Sequence, residues 1–219
     1  MHKLLYLLFL FFSISVFAME MVELENDQNQ GAPAEKMHRH HHKHRKTENE
    51  LVAWQYKRFK RKINGSVFKC MHRKLTQIFT QVFTYPEFSN IQQVNLYDNR
   101  LAEIPADIFQ HMPLLKAIVL SKNKLRLINA YTFSNLQFLA YIVLFDNQLE
   151  FIAENAFSNL PALKWIDLSE NPLQSVLADA LNVTRFTEIY FFENPLNEDV
   201  KKALRSKFGY KVFFNVDGY

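Results

Sequence analysis

From Ile91 onward the chain repeats one frame of apolar and polar positions. Ile91-x-x-Val94-x-Leu96-x-x-Asn99-x-Leu101-x-x-Ile104 returns as Leu115-x-x-Ile118-x-Leu120-x-x-Asn123-x-Leu125-x-x-Ile128. It returns again from Leu139, with Ile142, Leu144, Asn147, Leu149 and Ile152, and from Leu163, with Ile166, Leu168, Asn171, Leu173 and Val176. A fifth copy begins Phe186-x-x-Ile189-x-Phe191-x-x-Asn194-x-Leu196. The asparagines lie 24, 24, 24 and 23 residues apart. Such a fixed period means one structural unit per copy. Two apolar positions flanking one variable residue predict a short strand with its apolar side chains pointing inward. The asparagine amide is suited to satisfy backbone groups of the tight turn that follows. No single copy buries a core alone, so neighbours stack and their strands form a parallel sheet.

This frame resembles the leucine-rich repeat family, whose consensus L-x-x-L-x-L-x-x-N-x-L matches all five copies over about residues 65–215. The expected fold is an α/β leucine-rich repeat solenoid with a concave parallel β-sheet and an irregular or 3-10 convex side. Phe109, Phe133 and Phe157 recur at one-repeat spacing, with Tyr85 in register before them. They are expected to fill the convex half of each coil, which accounts for part of an unusual total of 21 phenylalanines.

Both ends depart from the frame. Phe68, Cys70, Leu75 and Ile78 fit an earlier copy in which Arg73 replaces the asparagine, and the step to Asn99 is 26 residues, an insertion of two. Residues 198–208 carry acids first and bases last and end at Gly209, which predicts a helical C-terminal cap. Tyr210 to Val216 is expected to add an edge strand. Secreted members of the family usually have disulfide-bonded caps, and Cys70 is the only cysteine. It is expected to be a core thiol, with an intermolecular disulfide as the alternative.

Four scattered glycines, Gly31, Gly65, Gly209 and Gly218, exclude a glycine-rich phosphate loop. A lone cysteine excludes a thiolate zinc site. His72 and His111 are the only histidines within the repeats, and neither shares a strand slot with a nucleophile. The chain is therefore read as no enzyme, with no cofactor and no metal site.

The formal charge of +4 is unevenly spread. Residues 35–74 hold 13 Lys and Arg against three Glu, whereas residues 75–219 hold 12 against 15 acids. Residues 1–18, with Lys3 ahead of the apolar run Leu4 to Phe12 and Val16-Phe17-Ala18 at the end, read as a cleaved secretory signal. Residues 19–50 read as a disordered acidic, then His/Lys/Arg-rich segment. Its run from Met37 to Lys46 is read as a solvated tail in preference to a Zn²⁺ or Cu²⁺ site. Residues 51–64 follow as a basic amphipathic helix or N-terminal cap, with Val52, Tyr56, Phe59 and Ile63 on one face. Residues 65–195 hold the repeats and 196–219 the C-terminal cap.

Three partner classes follow. Lys57, Arg58, Lys60, Arg61 and Lys62 are candidates for a sulfated glycan or an anionic membrane; nucleic acid is not expected, nor is a transmembrane span. The variable strand positions stack into columns, and from the third coil they turn aromatic and acidic. Tyr97, Asp98, Tyr141, Phe145, Asp146, Trp165, Asp167, Glu170, Tyr190 and Phe192 are the candidate contacts for a protein ligand. Secretion would make Asn64 and Asn182 glycosylation acceptors. The expected function is secreted, non-enzymatic protein recognition, with insect leucine-rich-repeat immune proteins as an analogy, although this chain lacks their coiled coil and paired cysteines. The alternative is an extracellular-matrix or tethered structural protein, venom- or saliva-delivered, held by its basic arm. A further expectation is that the basic segment over residues 35–74 folds back over the acidic face until a partner competes, so that deleting residues 35–62 raises affinity for a ligand of that face.

Overall fold

The structure is a computed structural model and describes residues 47–215. The signal, the acidic leader and the His-rich run lie outside the described residues. Helix α1 (Glu48–Lys60) opens on a capping box, in which Thr47 and Glu50 satisfy each other's backbone N–H groups. Strands β1 (Ile63–Asn64) and β2 (Val67–Lys69) form an antiparallel hairpin through Gly65, whose φ of +56° suits a residue without Cβ. Each coil then adds one strand: β3 (Gln93–Asn95), β4 (Ala117–Val119), β7 (Tyr141–Val143), β10 (Trp165–Asp167) and β12 (Glu188–Tyr190). With β13 (Val212–Phe213) they complete an eight-stranded sheet, parallel from β2 onward.

The register is unbroken. Phe68, Val94, Ile118, Ile142, Ile166, Ile189 and Val212 stand side by side, all buried. Smaller ladders lie beyond the sheet: β5 (Leu127–Ile128) with β8 (Phe151–Ile152), and β6 (Phe133–Ser134), β9 (Phe157–Ser158) and β11 (Leu181–Asn182) in one row.

Two side-chain ladders tie the coils together. Asn123 Nδ2 donates to Leu120 O of its own turn at 2.9 Å and to Leu96 O of the preceding coil at 3.0 Å, and its Oδ1 accepts from Leu101 N at 3.1 Å. Asn99, Asn147, Asn171 and Asn194 repeat this bridge. The amide thus pairs buried backbone groups of two coils, not of one turn alone. Behind the sheet, Phe133 stacks on Phe109 and Phe157, with ring centroids 5.7 and 5.3 Å apart.

Tyr85 does not join that stack. It is only partly buried and lies against Tyr56 of α1, with centroids 3.7 Å apart, while Phe83 is buried in its place. The 26-residue step explains the shift, because it puts Phe83, not Tyr85, in register with Phe109.

The fifth copy is also displaced. Phe186 is 69% exposed, and Thr187 is fully buried in the slot expected for it. Thr187 N donates to Thr184 O at 3.1 Å, repeating the bond of Leu163 to Leu160 and of Leu139 to Leu136. A coil one residue short keeps its turn and strand, so the missing residue is lost between them.

Helix α1 ends at Lys60, and Ile63 belongs to β1, so Ile63 does not share the helix face expected for it. Val52, Gln55 and Phe59 are buried, and Phe59 packs 4.9 Å from Phe68. Gln55 clamps the first coil, donating to Gln77 O at 3.0 Å and accepting from Phe79 N at 2.9 Å. This face is therefore committed to the solenoid and cannot enter a bilayer. At the other end, helix α2 (Glu198–Phe208) is capped by Asn197 and buries Leu204 and Phe208. Cys70 is fully buried, and burial pushes its thiol pKa up. An intermolecular disulfide would require that coil to open. Among the described residues no helix is long and apolar enough to cross a membrane.

Candidate binding face

The strand residues on either side of each buried central position face away from the core. In one column stand Gln93, Ala117, Tyr141, Trp165 and Glu188, and in the next Asn95, Val119, Val143, Asp167, Tyr190 and Phe213. Just past the strands run Tyr97, Ser121, Phe145, Ser169 and Phe192, where half-buried rings alternate with two buried serines. Phe192 N donates to Ser169 Oγ at 3.3 Å, so a small residue between two rings lets the backbones approach.

The rings divide into two sets. Tyr190 lies between Trp165 and Phe213, at 4.8 and 4.6 Å, with both of its faces covered. Its hydroxyl donates to Glu188 Oε2 at 3.1 Å, and burial beside that carboxylate pushes the phenol pKa up. Trp165 Nε1 is buried and has no hydrogen-bond partner among the described residues. These rings mainly pack on one another. Tyr141, Phe145 and Phe192 keep partial exposure, and Phe192 lies 5.8 Å from Tyr190.

Asp167 does not belong to the exposed face. It is 1% exposed, and its Oδ1 accepts from Ser169 N at 3.0 Å, as Asn95 Oδ1 does from Tyr97 N at 3.0 Å. Tyr190 in the next strand and Val143 in the previous one flank it, and burial raises its pKa. It is a turn-forming residue.

Beside the rings runs a charged column of Asp98, Lys122, Asp146, Glu170 and Glu193. All five have φ between 51° and 55°, the left-handed conformation in which each turn leaves its strand. Asp98 pairs with His72 Nδ1 at 2.5 Å. The Lys122 ammonium sits 5.6 Å from the Tyr97 ring, and contact with Tyr97, then the nearby Asp146 and Asp98, raises its pKa. Glu170 is raised by partial burial and by Asp146 and Glu193 on either side. From the third coil the charged column is acidic, with Lys122 of the second coil beside it, while Lys211 pairs with Glu188 of the first column at 2.6 Å.

The basic candidates lie elsewhere, on α1 and the turn after it. Lys60 donates to Glu87 Oε1 at 2.5 Å, and with Tyr56 it holds the Glu87 carboxyl down at about 2. Arg58 lies 5.3 Å from the Trp54 ring. Lys57 and Arg61 are exposed and Lys62 is half-buried. Asn64 and Asn182 are both exposed. No cluster of three or more metal-ligating side chains occurs among the described residues.

Residues 89–149, 128–173 and 139–182 match the leucine-rich repeat family model. The coils over these residues are similar to leucine-rich repeats, a family whose members commonly bind other proteins. A solved leucine-rich repeat protein of Leptospira interrogans is similar in fold, with a TM-score of 0.51 and 20% identity. The alignment covers 65% of this chain and 35% of that one, so the chain spans about a third of its neighbour's length. No curated protein gives a significant match.

Proposed function

We propose that the protein is a secreted, non-catalytic recognition protein that binds a protein partner across the solvent-facing side of its parallel sheet. The observation that carries this reading is the juxtaposition of part-exposed Tyr141, Phe145 and Phe192 with Asp146, Glu170 and Glu193. Aromatic anchors beside charged groups are what protein interfaces use, and the acids select a partner with a basic patch. Innate immune recognition is the role this reading favours. Asn64 and Asn182, both exposed, are its glycosylation sites.

A second reading, tethering to a matrix or sulfated glycan, is favoured only by the exposed Lys57 and Arg61. Chemical cross-linking and mass spectrometry of the native secreted protein separate the two. Cross-links from Lys122 to a soluble protein support recognition. Retention on heparin lost with Lys57→Ala and Arg61→Ala, with no such cross-link, supports tethering.

A further inference from the structure

The flank where each coil turns into the sheet carries a second row of exposed apolar side chains. Leu114, Phe138, Ala162, Phe186 and Tyr210 occur 24 residues apart, each two or three residues before a sheet strand. Leu114 is 38% exposed, Phe138 53%, Phe186 69% and Tyr210 84%, while Ala162 between them is half-buried. Nothing in the repeat frame requires this. Phe186 stands outside because Thr187 took its core slot. Scattered exposed apolar residues are ordinary, but here large ones recur in register on four of five successive coils, with only the short Ala162 between Phe138 and Phe186.

The charge around the row is one-sided. Segments 110–116, 134–140, 158–164 and 182–187 contain no Asp or Glu, although the repeats and cap over 75–219 are acidic overall. Exposed Lys116, Lys164 and Arg185 lie within two residues of Leu114, Ala162 and Phe186 in the chain. Arg185 lies 5.0 Å from the Phe186 ring, whereas Lys211 beside Tyr210 is paired with Glu188 Oε1 at 2.6 Å.

We propose that this flank docks on an anionic lipid surface. Projecting rings suit the headgroup region of a bilayer, where aromatic side chains sit and long cationic side chains reach lipid phosphates. Lys116, Lys164 and Arg185 near the row match a negatively charged leaflet, which attracts each of them. Such docking leaves the aromatic–acidic face of the sheet free, since the two surfaces are built from different columns.

The test is co-sedimentation of the full chain with phosphatidylcholine vesicles, with and without phosphatidylserine. Wild-type protein partitions onto the phosphatidylserine vesicles. Phe138→Ser with Phe186→Ser lowers that partition roughly tenfold or more, since both rings lose their apolar contact. Lys116→Glu with Lys164→Glu lowers it similarly without touching an apolar residue, which separates the effect from folding. Partition equal to wild type in both pairs overturns the proposal, because the basic N-terminal region would then carry the binding. Absence of wild-type partition also overturns it, as does a dimer seen by sedimentation velocity that Phe186→Ser abolishes while vesicles stay unbound.

Discussion

Thr187 Oγ1 donates to the carbonyl oxygen of Leu163 at 3.0 Å, joining the last two coils from inside the core. A hydroxyl thus occupies a slot that three earlier coils fill with leucine. Thr187→Val keeps the shape and removes the bond, leaving the carbonyl unpaired by it. The expected cost is about 1–2 kcal/mol in urea unfolding. Phe186→Ser, one residue away on the surface, is expected to change stability by less than about 0.5 kcal/mol. The opposite ranking would put Phe186 back in the core.

Asn147 bridges two coils through three backbone groups, Leu120 O, Leu144 O and Leu125 N. Asn147→Ala leaves Leu125 N buried without its acceptor, while Leu120 O keeps Asn123 Nδ2 and Leu144 O keeps Asn171 Nδ2, an expected loss of about 1–3 kcal/mol. Equilibrium denaturation measures it, and a loss below about 1 kcal/mol would mean the turn is held by the strands alone.

Asp167 is buried, and its pKa is raised above the unfolded value. At low pH both states are protonated and nothing is lost. As pH rises the unfolded chain ionises first, so stability falls until the pH passes the folded pKa. Asp167→Asn keeps an acceptor for Ser169 N, as Asn95 does in its own turn. It is expected to stabilise the protein at neutral pH and to do so far less at about pH 3, below the ordinary carboxylate pKa. Chemical denaturation at both values decides; an equal effect at both would show that ionisation is not the cause.

Glu170 holds φ at 54° between two like charges. Glu170→Asn relieves both strains, since asparagine tolerates the left-handed region. A gain of about 0.5–1 kcal/mol is expected by thermal melting at low salt, shrinking as salt screens the charge part. A loss would show that Glu170 makes a contact the fold needs.

The sequence made the repeat legible because the 24-residue period fixes which residues meet. The Asn99 to Asn194 ladder and the central strand positions Val94 to Ile189 required nothing else. Positions next to a length change depart from the frame. Phe186 and Tyr85 both follow the frame by counting, yet a shortened coil and a two-residue insertion moved the core slots to Thr187 and Phe83. Asp167 departs from its column for another reason. Its column is outward in every coil, but its burial depends on Tyr190 from the next strand, which no single repeat encodes. The same holds for Gln55, a polar residue whose partners lie 22 and 24 residues away.

The most direct test of recognition by the sheet face places a photo-cross-linking residue at Phe145 and, separately, at Leu127 on the β5–β8 ladder. Both versions of the full chain are irradiated in extracellular fluid of the source organism. The account predicts one discrete protein adduct from position 145, weakened by Glu170→Lys and absent from position 127. Identical adducts from both positions, or an adduct from 127 alone, would contradict it.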